Sequence, residues 1–207
     1  MNGAKKSDYF KRLFLLGSLM FGIHCGTYAQ EEWKQIRDKE GITVFTRSNP
    51  NMDFKEFRSV MIVKATVDQF LSVLYDVEGL ESWGYNVKSA SVIRRESDSI
   101  QIYYAVAKAP FPYKNRDGVY LNRFSWDPGE KKLSVDIDLV NDLVPEKDNL
   151  VRMEGYGLWE VIEMTDGKLE VTFQMQMDPG GRIPAWMDNM FAGDSPYFTL
   201  YGLREAM

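Results

Sequence analysis

The chain has 207 residues, of which 25 are Lys or Arg and 30 are Asp or Glu, so its formal net charge is −5. This length allows one domain with a substantial hydrophobic core. An acidic chain is poorly suited to hold a polyanion, so the composition argues against a nucleic-acid partner.

The first 29 residues have the features of a secretory signal peptide. Basic residues precede an apolar run at 13–23, which is shorter than the roughly 20 residues that a membrane span needs. Thr27 and Ala29 stand as at a signal-peptidase site. We therefore predict that residues 1–29 are removed and that domain 30–207 is exported to the periplasm or the outside of a bacterial cell. The alternative is an N-terminal membrane anchor. Lipidation of Cys25 is disfavoured because His24 precedes it where a small residue would be expected.

Cleavage at that position would restrict the chemistry of the mature chain. The single His and the single Cys of the chain, His24 and Cys25, both precede the cut. A Ser-His-Asp triad, a Cys-His pair, a Cys/His zinc site and a disulfide are then excluded together. Four basic residues and one acidic residue would also be lost, which leaves a net charge of about −8. An enzyme would have to rely on Asp, Glu, Lys, Arg, Tyr or Ser.

The first half of the domain predicts two strands followed by a helix. Residues 41–47 and 54–65 have the composition of strands. Thr66 and Gln69 form a capping box, which indicates a helix start. Gly79 and residues 82–84 are expected to end the helix. Four apolar residues recur at helical spacing and would bury one face: Val67, Phe70, Leu71 and Leu74.

The second half predicts mostly strands. Short turns separate them, which indicates an antiparallel sheet whose strands pair in sequence order. The last strand alternates most regularly, with its apolar residues on one face. The predicted strands span residues 87–95, 100–107, 119–126, 133–140, 150–163 and 169–177.

A helical C-terminal segment is the large element left to cover the apolar face of this sheet. Pro184 would lie in its first turn, Gly193 would interrupt it, and Ser195 and Pro196 would restart it as N-cap and N1. We predict an α+β domain in which a long kinked helix crosses a curved antiparallel sheet and leaves an internal cavity. The apolar helical face would contain Ile183, Trp186, Met187, Met190, Phe191, Leu200, Tyr201 and Leu203.

Two motifs in this chain resemble those of START domains. They are PFPYKNRDGVY at residues 110–120 and DPGGRIPAWMDN at residues 178–189. The segment FLSVLYDVEGLESWG, with Asp76 and Trp83, is also similar to the family. Together with the order of strands and helices, the resemblance covers essentially the whole mature chain.

The resemblance implies a helix-grip fold of the Bet v 1-like superfamily. It implies a hydrophobic cavity between the sheet and the C-terminal helix, which would bind a lipid, a sterol or another hydrophobic small molecule. It implies no cofactor, no metal and no catalysis, and we expect a monomer that contacts membranes transiently. The loop at residues 140–149 would lie over the cavity mouth. Asn122 stands where some members carry Arg, which argues against a charged head group on that strand.

Candidate ligand contacts follow from the strand faces and from the methionines. Methionine is flexible and adapts to varied ligands. Because neighbouring residues on a strand face opposite ways, only one of Tyr103 and Tyr104 can line a cavity. Tyr104 is the choice because it shares a face with apolar neighbours such as Ile102. The expected ligand-binding residues are Tyr104, Tyr120, Asn122, Met153, Trp159, Phe173, Met175, Met177, Met187 and Met190.

Arg116 and Asp117 form the other candidate group. A buried charge has to be paired, so neither side chain should be free. We favour a structural ion pair that closes the sheet against the preceding Pro-Phe-Pro segment. The alternative is contact with a ligand head group.

Two other functions are compatible with the sequence. The first is an enzyme of the same superfamily, a cyclase or hydrolase of an apolar substrate, which would need a buried carboxylate beside a pocket tyrosine. The second is a module that binds a protein or a membrane surface. It predicts a filled interior and an exposed apolar patch at Leu143, Val144 and Pro145.

Overall fold

The described residues form one mixed sheet of ten strands. The helices lie in the connections between strands and after the last strand. The computed structural model describes residues 32–49 and 52–207. The predicted signal peptide, residues 1–29, lies outside the described residues, and so do His24 and Cys25. The strands are β1 (Lys34–Lys39), β2 (Ile42–Arg47), β3 (Glu56–Val63), β4 (Val87–Ser97), β5 (Ile100–Ala107), β6 (Asn115–Asp127), β7 (Lys132–Leu139), β8 (Leu150–Arg152), β9 (Glu154–Glu163) and β10 (Leu169–Asp178).

The sheet order is β1-β2-β3-β10-β9-β7-β6-β5-β4, and β8 pairs with β6. All neighbours along this path are antiparallel, whereas β8 runs parallel to β6. The prediction of a curved antiparallel sheet with a C-terminal helix is confirmed. Pairing in sequence order is wrong at one place, because β3 pairs with β10 and not with β4, which lies at the opposite edge of the sheet.

Two strands differ from the predictions. β1 was not predicted, because KQIRDK is polar and mostly exposed and so has no apolar periodicity. The single strand predicted at 150–163 is divided into β8 and β9 at Met153. Met153 lies between the two strands, and its backbone N–H donates to the Asp117 carbonyl on β6 at 2.8 Å.

The two helices that precede β4 close one end of the sheet's inner face. They are α1 (Val67–Tyr75) and α2 (Leu80–Trp83). Thr66 caps α1 as predicted, since its side chain accepts from the Gln69 N–H and the Gln69 side chain accepts from the Thr66 N–H. α1 buries Phe70 and Leu74. Where a helix end was predicted, residues 80–83 form the short helix α2, which buries Trp83.

The C-terminal helical run consists of α3 (Ala185–Asn189), a π-helical segment (Met190–Asp194) and α4 (Ser195–Ala206). Pro184 is the N-cap of α3 rather than a residue of its first turn. Ser195 is not an N-cap, because Asp194 before it is already helical, with φ −78° and ψ −43°. The π-helical segment therefore joins the two helices where the sequence predicted an interruption.

The predicted apolar face of this run is only partly buried. Met187, Leu200 and Leu203 are fully buried, whereas Trp186 and Tyr201 are exposed. Successive helical residues point about 100° apart, so Trp186 cannot share the direction of Met187. None of the described helices is long and apolar enough to span a membrane.

Candidate ligand-binding cavity

A cavity of about 140 Å³ lies between the inner face of the sheet and the C-terminal helical run. Residues of α2 and of the segment that leads into β4 also contribute to its wall. Most of the cavity wall is apolar. The position of this space agrees with the predicted internal cavity.

Several residues on the inner face of the sheet have small side chains or none, and one of them, Ala105, lines the cavity. Ala105 on β5 lies opposite Gly118 on β6. On β9, Gly155 and Gly157 lie opposite Met177 and Met175 of β10. These positions alternate with outward-facing ones, so all of them belong to the inner face. A Cβ atom on Gly118 would meet the Tyr120 ring, and one on Gly157 would meet Met175 Cγ, so the side chains of Tyr120 and Met175 lie over these glycines.

Gly157 is also required for the close approach of β9 to β10. A Cβ atom built on Gly157 would overlap the Gln174 carbonyl oxygen, and one built on Gly155 would overlap that of Gln176. Gly155 in addition has φ +149°, in the region that favours glycine. A side chain at either position would require the backbone of β9 or β10 to move. The close pairing of these two strands therefore requires glycine at both positions.

Aromatic rings close the inner end of the cavity. Trp159 stacks on Phe173 with ring centroids 4.1 Å apart and an interplanar angle of 14°. Phe70 from α1 contacts Trp159 edge-on at 5.7 Å, and Phe57 contacts Phe173 edge-on at 5.3 Å. Beyond these rings the interior is filled with apolar side chains such as Val161.

Two stacked tyrosines form part of the cavity wall. Tyr103 and Tyr120 lie directly opposite each other on β5 and β6, with ring centroids 4.9 Å apart and an interplanar angle of 7°. Burial raises the pKa of both hydroxyls well above the ordinary tyrosine value. The neighbouring tyrosine raises the pKa of Tyr103 further, and the Asp117 charge raises that of Tyr120. Both hydroxyls are therefore neutral at ordinary pH.

Asn122 is the buried amide of the cavity wall. It is 3% exposed, and its Oδ1 atom has no hydrogen-bond partner among the described residues. Gln101 lies directly opposite on β5 and is 1% exposed. Its Nε2 donates to the Tyr75 carbonyl at 3.2 Å, but its Oε1 also has no partner among the described residues.

Charged side chains contribute to the cavity wall only at exposed positions. Among the described residues that line it, Asp76 and Lys108 are the charged ones, and both are exposed. Asp76 follows α1, and its Oδ1 accepts from the Gly79 N–H at 3.1 Å. The buried part of the wall is therefore uncharged.

Eight of the ten residues predicted to bind the ligand line this cavity, and two do not. Met187 is fully buried outside the wall. Tyr104 donates its hydroxyl to Asp117 Oδ2 at 2.9 Å and does not reach the cavity. Whether the others contact a ligand stays a prediction. The eight are Tyr120, Asn122, Met153, Trp159, Phe173, Met175, Met177 and Met190.

Tyr103 and not Tyr104 lines the cavity, because the more apolar face of β5 is not the cavity face. Ile102 shares the face of Tyr104, is buried and does not line the cavity. The inner face carries Tyr103, Ala105 and Gln101, whose mean hydropathy is lower. On β5, a small residue two positions from a tyrosine is the pattern that indicates the cavity wall. Tyr85, Asn86 and Thr199 also line the cavity and were not among the predicted ligand-binding residues.

Asp117 is in a buried ion pair, but its partner is not Arg116. Arg152 Nη2 lies 2.9 Å from Asp117 Oδ2, and Arg152 Nε donates to Oδ1 at 3.2 Å. Arg116 and Asp117 are neighbours on β6 and point to opposite faces, so they cannot pair. Arg152 was not predicted because it lies 35 residues further along the chain.

Arg116 binds backbone carbonyls instead of a carboxylate. Its Nε donates to the Pro179 carbonyl at 3.3 Å, and its Nη1 donates to the Lys114 carbonyl. Burial lowers the pKa of the guanidinium, against a smaller opposing effect of Tyr113. By binding the Pro179 carbonyl, Arg116 fixes the turn that leads from β10 to α3. Arg116 does not line the cavity.

The arrangement required for the enzyme alternative is absent from the described cavity. Tyr104 does contact a buried carboxylate, that of Asp117, but both lie outside the cavity wall. The binding-module alternative predicted a filled interior, whereas the interior contains this cavity. Leu143 in the loop after β7 is exposed, as that alternative also predicted. The described residues contain no group of three or more His, Cys, Asp or Glu placed to hold a metal ion.

The family model for the START domain matches residues 25–206. A Pseudomonas aeruginosa protein described only as uncharacterized is 28% identical over 196 residues, which cover 94% of this chain and 96% of that protein. The phosphatidylcholine transfer protein of Mus musculus is 28% identical over 166 residues, which cover 78% of this chain and 77% of that protein.

Solved structures are similar over most of the chain. The STAR-related lipid transfer protein of Xanthomonas axonopodis superimposes with a TM-score of 0.78 and 32% identity, covering 84% of this chain and 98% of that one. Human StAR-related lipid transfer protein 5 gives a TM-score of 0.72 at 19% identity, covering 84% and 85%. At that identity the second likeness concerns the fold alone.

Proposed function

Because the chain belongs to the START domain family, we propose that it binds a lipid or another hydrophobic small molecule in its internal cavity and transfers it between membranes. The observation that carries this proposal is the apolar cavity between the sheet and the C-terminal helical run. The mouse and Xanthomonas relatives are named as lipid transfer proteins, which supports the transfer step. We propose no catalytic step.

The cavity wall suits an apolar ligand. Each methylene group that leaves water for such a wall contributes about 0.8 kcal/mol. A chain of ten methylenes can therefore be held without a polar contact. A ligand's polar end then affects selectivity more than affinity.

The methionines of the wall provide room for a ligand larger than the cavity as described. A cavity of about 150 Å³ in another protein takes a benzene-sized molecule, and the volume here is about 140 Å³. A lipid chain needs more space than that. Met153, Met175, Met177 and Met190 all line the cavity, and their unbranched side chains can change rotamer to widen it.

Ala105→Phe tests binding in this cavity. Ala105 lines the cavity, so the added ring would occupy part of its volume. The protein, purified without detergent, should carry apolar molecules that native mass spectrometry detects, and Ala105→Phe should lose them. Ser91→Phe is the matched control, because Ser91 is exposed on the edge strand β4. Unoccupied wild-type protein after exposure to membranes would contradict the proposal.

Transfer is tested separately from binding. Donor vesicles of phosphatidylcholine and phosphatidylglycerol carrying a self-quenched pyrene-labelled lipid are mixed with unlabelled acceptor vesicles. The protein should raise the rate of label transfer in proportion to its concentration, and Ala105→Phe should remove that effect. Binding without transfer would limit the function to storage or sensing.

We also propose that the protein is exported after removal of residues 1–29 and acts as a monomer. The basic start, the short apolar run and the small residues before Gln30 support export. N-terminal sequencing of the protein from cell fractions should give Gln30 as the first residue. An intact Met1, or a lipid on Cys25, would contradict it.

A further inference from the structure

The cavity meets the surface along a seam between residues 84–86, which join α2 to β4, and the start of α4. Tyr85 and Asn86 line the cavity from the first side, and Ser195 and Thr199 line it from the second. All four are only partly buried. The seam is therefore a thin part of the wall, formed by two segments that do not belong to the sheet.

The exposed residues of the cavity wall lie beside the same seam. Asp76 ends α1, just before α2 and residues 84–86. Lys108 is tied to the seam, because its backbone N–H donates to the Asn86 carbonyl at 2.7 Å. By contrast, none of the described residues 140–149, the loop expected over the cavity mouth, lines the cavity. The surface end of the cavity is thus at the seam.

Two stacked aromatic rings close the seam. The rings of Tyr85 and Phe198 have centroids 5.2 Å apart and an interplanar angle of 15°. Tyr85 lines the cavity and Phe198 is 43% exposed, so the stack lies between the cavity and solvent. No backbone hydrogen bond among the described residues joins residues 84–86 to α4. Separating the two rings therefore breaks no backbone pairing.

We infer that the ligand enters and leaves the cavity through this seam, and that the Tyr85–Phe198 stack is the gate. The inference rests on the proposed binding function and names the entrance to the same site. In many proteins the opening of such a gate limits how fast a ligand is bound and released.

An ion pair with the edge strand β1 holds the α4 side of the gate. Arg37 Nη2 donates to Asp194 Oδ1 at 2.6 Å, at the end of the π-helical segment. The same guanidinium lies 4.8 Å from the centroid of the Tyr197 ring and 5.9 Å from that of Phe198. Burial raises the pKa of the Tyr85 hydroxyl, and the nearby Asp194 charge adds to this effect. Arg37 is therefore a positioning residue that keeps Phe198 against Tyr85.

The gate lies between a fixed part and an irregular part of the helical run. Towards the C-terminus, a Cβ atom on Gly202 would lie 2.1 Å from the Trp83 carbonyl oxygen, so α4 and α2 are in backbone contact there. Towards the N-terminus, residues Met190–Asp194 are π-helical, a rare geometry that is frequent at functional sites. The seam should therefore open at the start of α4 and stay closed at Gly202.

Reversible cross-linking of the two sides of the seam tests the inference. The variant Tyr85→Cys/Phe198→Cys also carries Cys25→Ser, so the introduced thiols are the only ones in the chain. A bis-methanethiosulfonate reagent joins them, and a reductant releases them. The probe is N-phenyl-1-naphthylamine, an uncharged dye that fluoresces in apolar surroundings, and stopped-flow fluorescence gives its rate of uptake. Ala105→Phe should show no uptake, which assigns the signal to the cavity.

The same variant should change the rate in opposite directions before and after cross-linking. Without the reagent it lacks the ring stack, and uptake should be about two- to tenfold faster than in the Cys25→Ser chain. With the reagent, uptake should be slower than in the Cys25→Ser chain, and reduction should restore the fast rate. An uptake rate that the cross-link leaves unchanged would overturn the inference, while binding in the cavity would stand.

A second cross-link tests the other candidate entrance, beside the loop that contains Phe111. Tyr113 and Trp186 join that loop to α3, with ring centroids 6.1 Å apart. Cross-linked Tyr113→Cys/Trp186→Cys, with Cys25→Ser, should take up the probe at the rate of its uncross-linked form. Slowing here that equals or exceeds the slowing at the Tyr85–Phe198 seam would overturn the inference. If the unaltered protein takes up no probe and carries no lipid, the proposed function fails as well.

Arg37→Met tests the residue that holds the gate. It should speed probe uptake several-fold and leave the amount bound at equilibrium unchanged, because Arg37 does not line the cavity. Arg94→Met is the matched control, since Arg94 pairs with Glu96 at an exposed position on the other edge strand, β4. Equal rates for the two variants would overturn the role given to Arg37. If Arg37→Met does not fold, Arg37→Lys, which keeps the charge but loses the planar group over the rings, should still speed uptake.

Discussion

Arg152 binds Asp117 with two of its nitrogens and holds the loop after β7 with the same guanidinium group. Nη2 and Nε contact the two carboxylate oxygens at 2.9 and 3.2 Å. Nη1 also donates to the carbonyls of Asn141 and Val144, both at 3.1 Å. The pair is buried, with side-chain exposures of 5% and 1%. One buried ion pair therefore joins β8, β6 and the loop at residues 140–149.

Arg152→Met should destabilise the protein strongly. The change leaves the Asp117 carboxylate buried without its cation, which typically costs about 3–5 kcal/mol. The free energy of urea-induced unfolding measures this loss. Arg123→Met is the matched control, because Arg123 pairs with Asp138 at an exposed position. That change should cost less than about 1 kcal/mol. Equal costs would contradict the structural role given to Arg152.

Stability should fall at alkaline pH partly through Tyr104. Burial raises the pKa of its hydroxyl to about 12, and the hydrogen bond to Asp117 adds to the effect. The stabilisation is complete below the ordinary tyrosine pKa of 10 and is lost as the pH rises from there towards 12, because the unfolded chain ionises first. Unfolding free energies at pH 9, 10 and 11 should show the advantage of wild type over Tyr104→Phe shrinking. A constant difference would contradict this.

Gly202→Ala should separate the C-terminal helix from α2. A Cβ atom at position 202 would overlap the backbone carbonyl of Trp83, which has no side-chain freedom to move away. Such overpacking costs about 1–3 kcal/mol. At Gly193 the nearest atom to an added Cβ is Ile36 Cδ1 at 3.5 Å, an ordinary contact. Thermal unfolding should therefore show a loss for Gly202→Ala and little change for Gly193→Ala.

Exposed aromatic residues near the cavity should assist transfer between membranes. Phe111 is 96% exposed and follows Lys108 of the cavity wall by three residues. Trp186 on α3 is 50% exposed. Its ring contacts that of Tyr113, which lies in the same loop as Phe111, with ring centroids 6.1 Å apart. Aromatic side chains favour the membrane interface. Phe111→Ser and Trp186→Ala should each lower the vesicle transfer rate several-fold and leave ligand affinity unchanged.

Trp126 provides the control for that experiment. It is 45% exposed, similar to Trp186, but it lies near the end of β6 opposite Leu133, beyond the aromatic rings that close the cavity. Trp126→Ala should leave the transfer rate unchanged. A comparable loss for all three variants would show that general surface hydrophobicity, and not this location, assists transfer.

The general architecture follows from periodicity and capping that the sequence displays directly. The capping box at Thr66 and the regular alternation of residues 169–177 both correspond to the structure. The order of strands in the sheet depends on non-local pairing, which neighbouring residues do not encode. This is why the position of β10 between β3 and β9, and the parallel pairing of β8 with β6, were not predicted.

The site was predictable where a strand face could be assigned from its apolar residues. Trp159, Phe173 and Met175 follow that rule. It fails on β5, where both faces are partly buried and the cavity face carries Gln101, Tyr103 and Ala105. The partner of Asp117 was not predictable either, because Arg152 approaches it through the tertiary structure.

The two sides of the cavity differ in mechanical compliance. On β5 and β6 the wall is formed by Ala105 and the stacked rings of Tyr103 and Tyr120, which are short or rigid side chains on a hydrogen-bonded sheet that deforms little. On the other side Met175, Met177 and Met190 present long side chains with several rotatable bonds. Differences in ligand width should therefore be absorbed by the methionine side, while the tyrosine side acts as a fixed template for ligand shape.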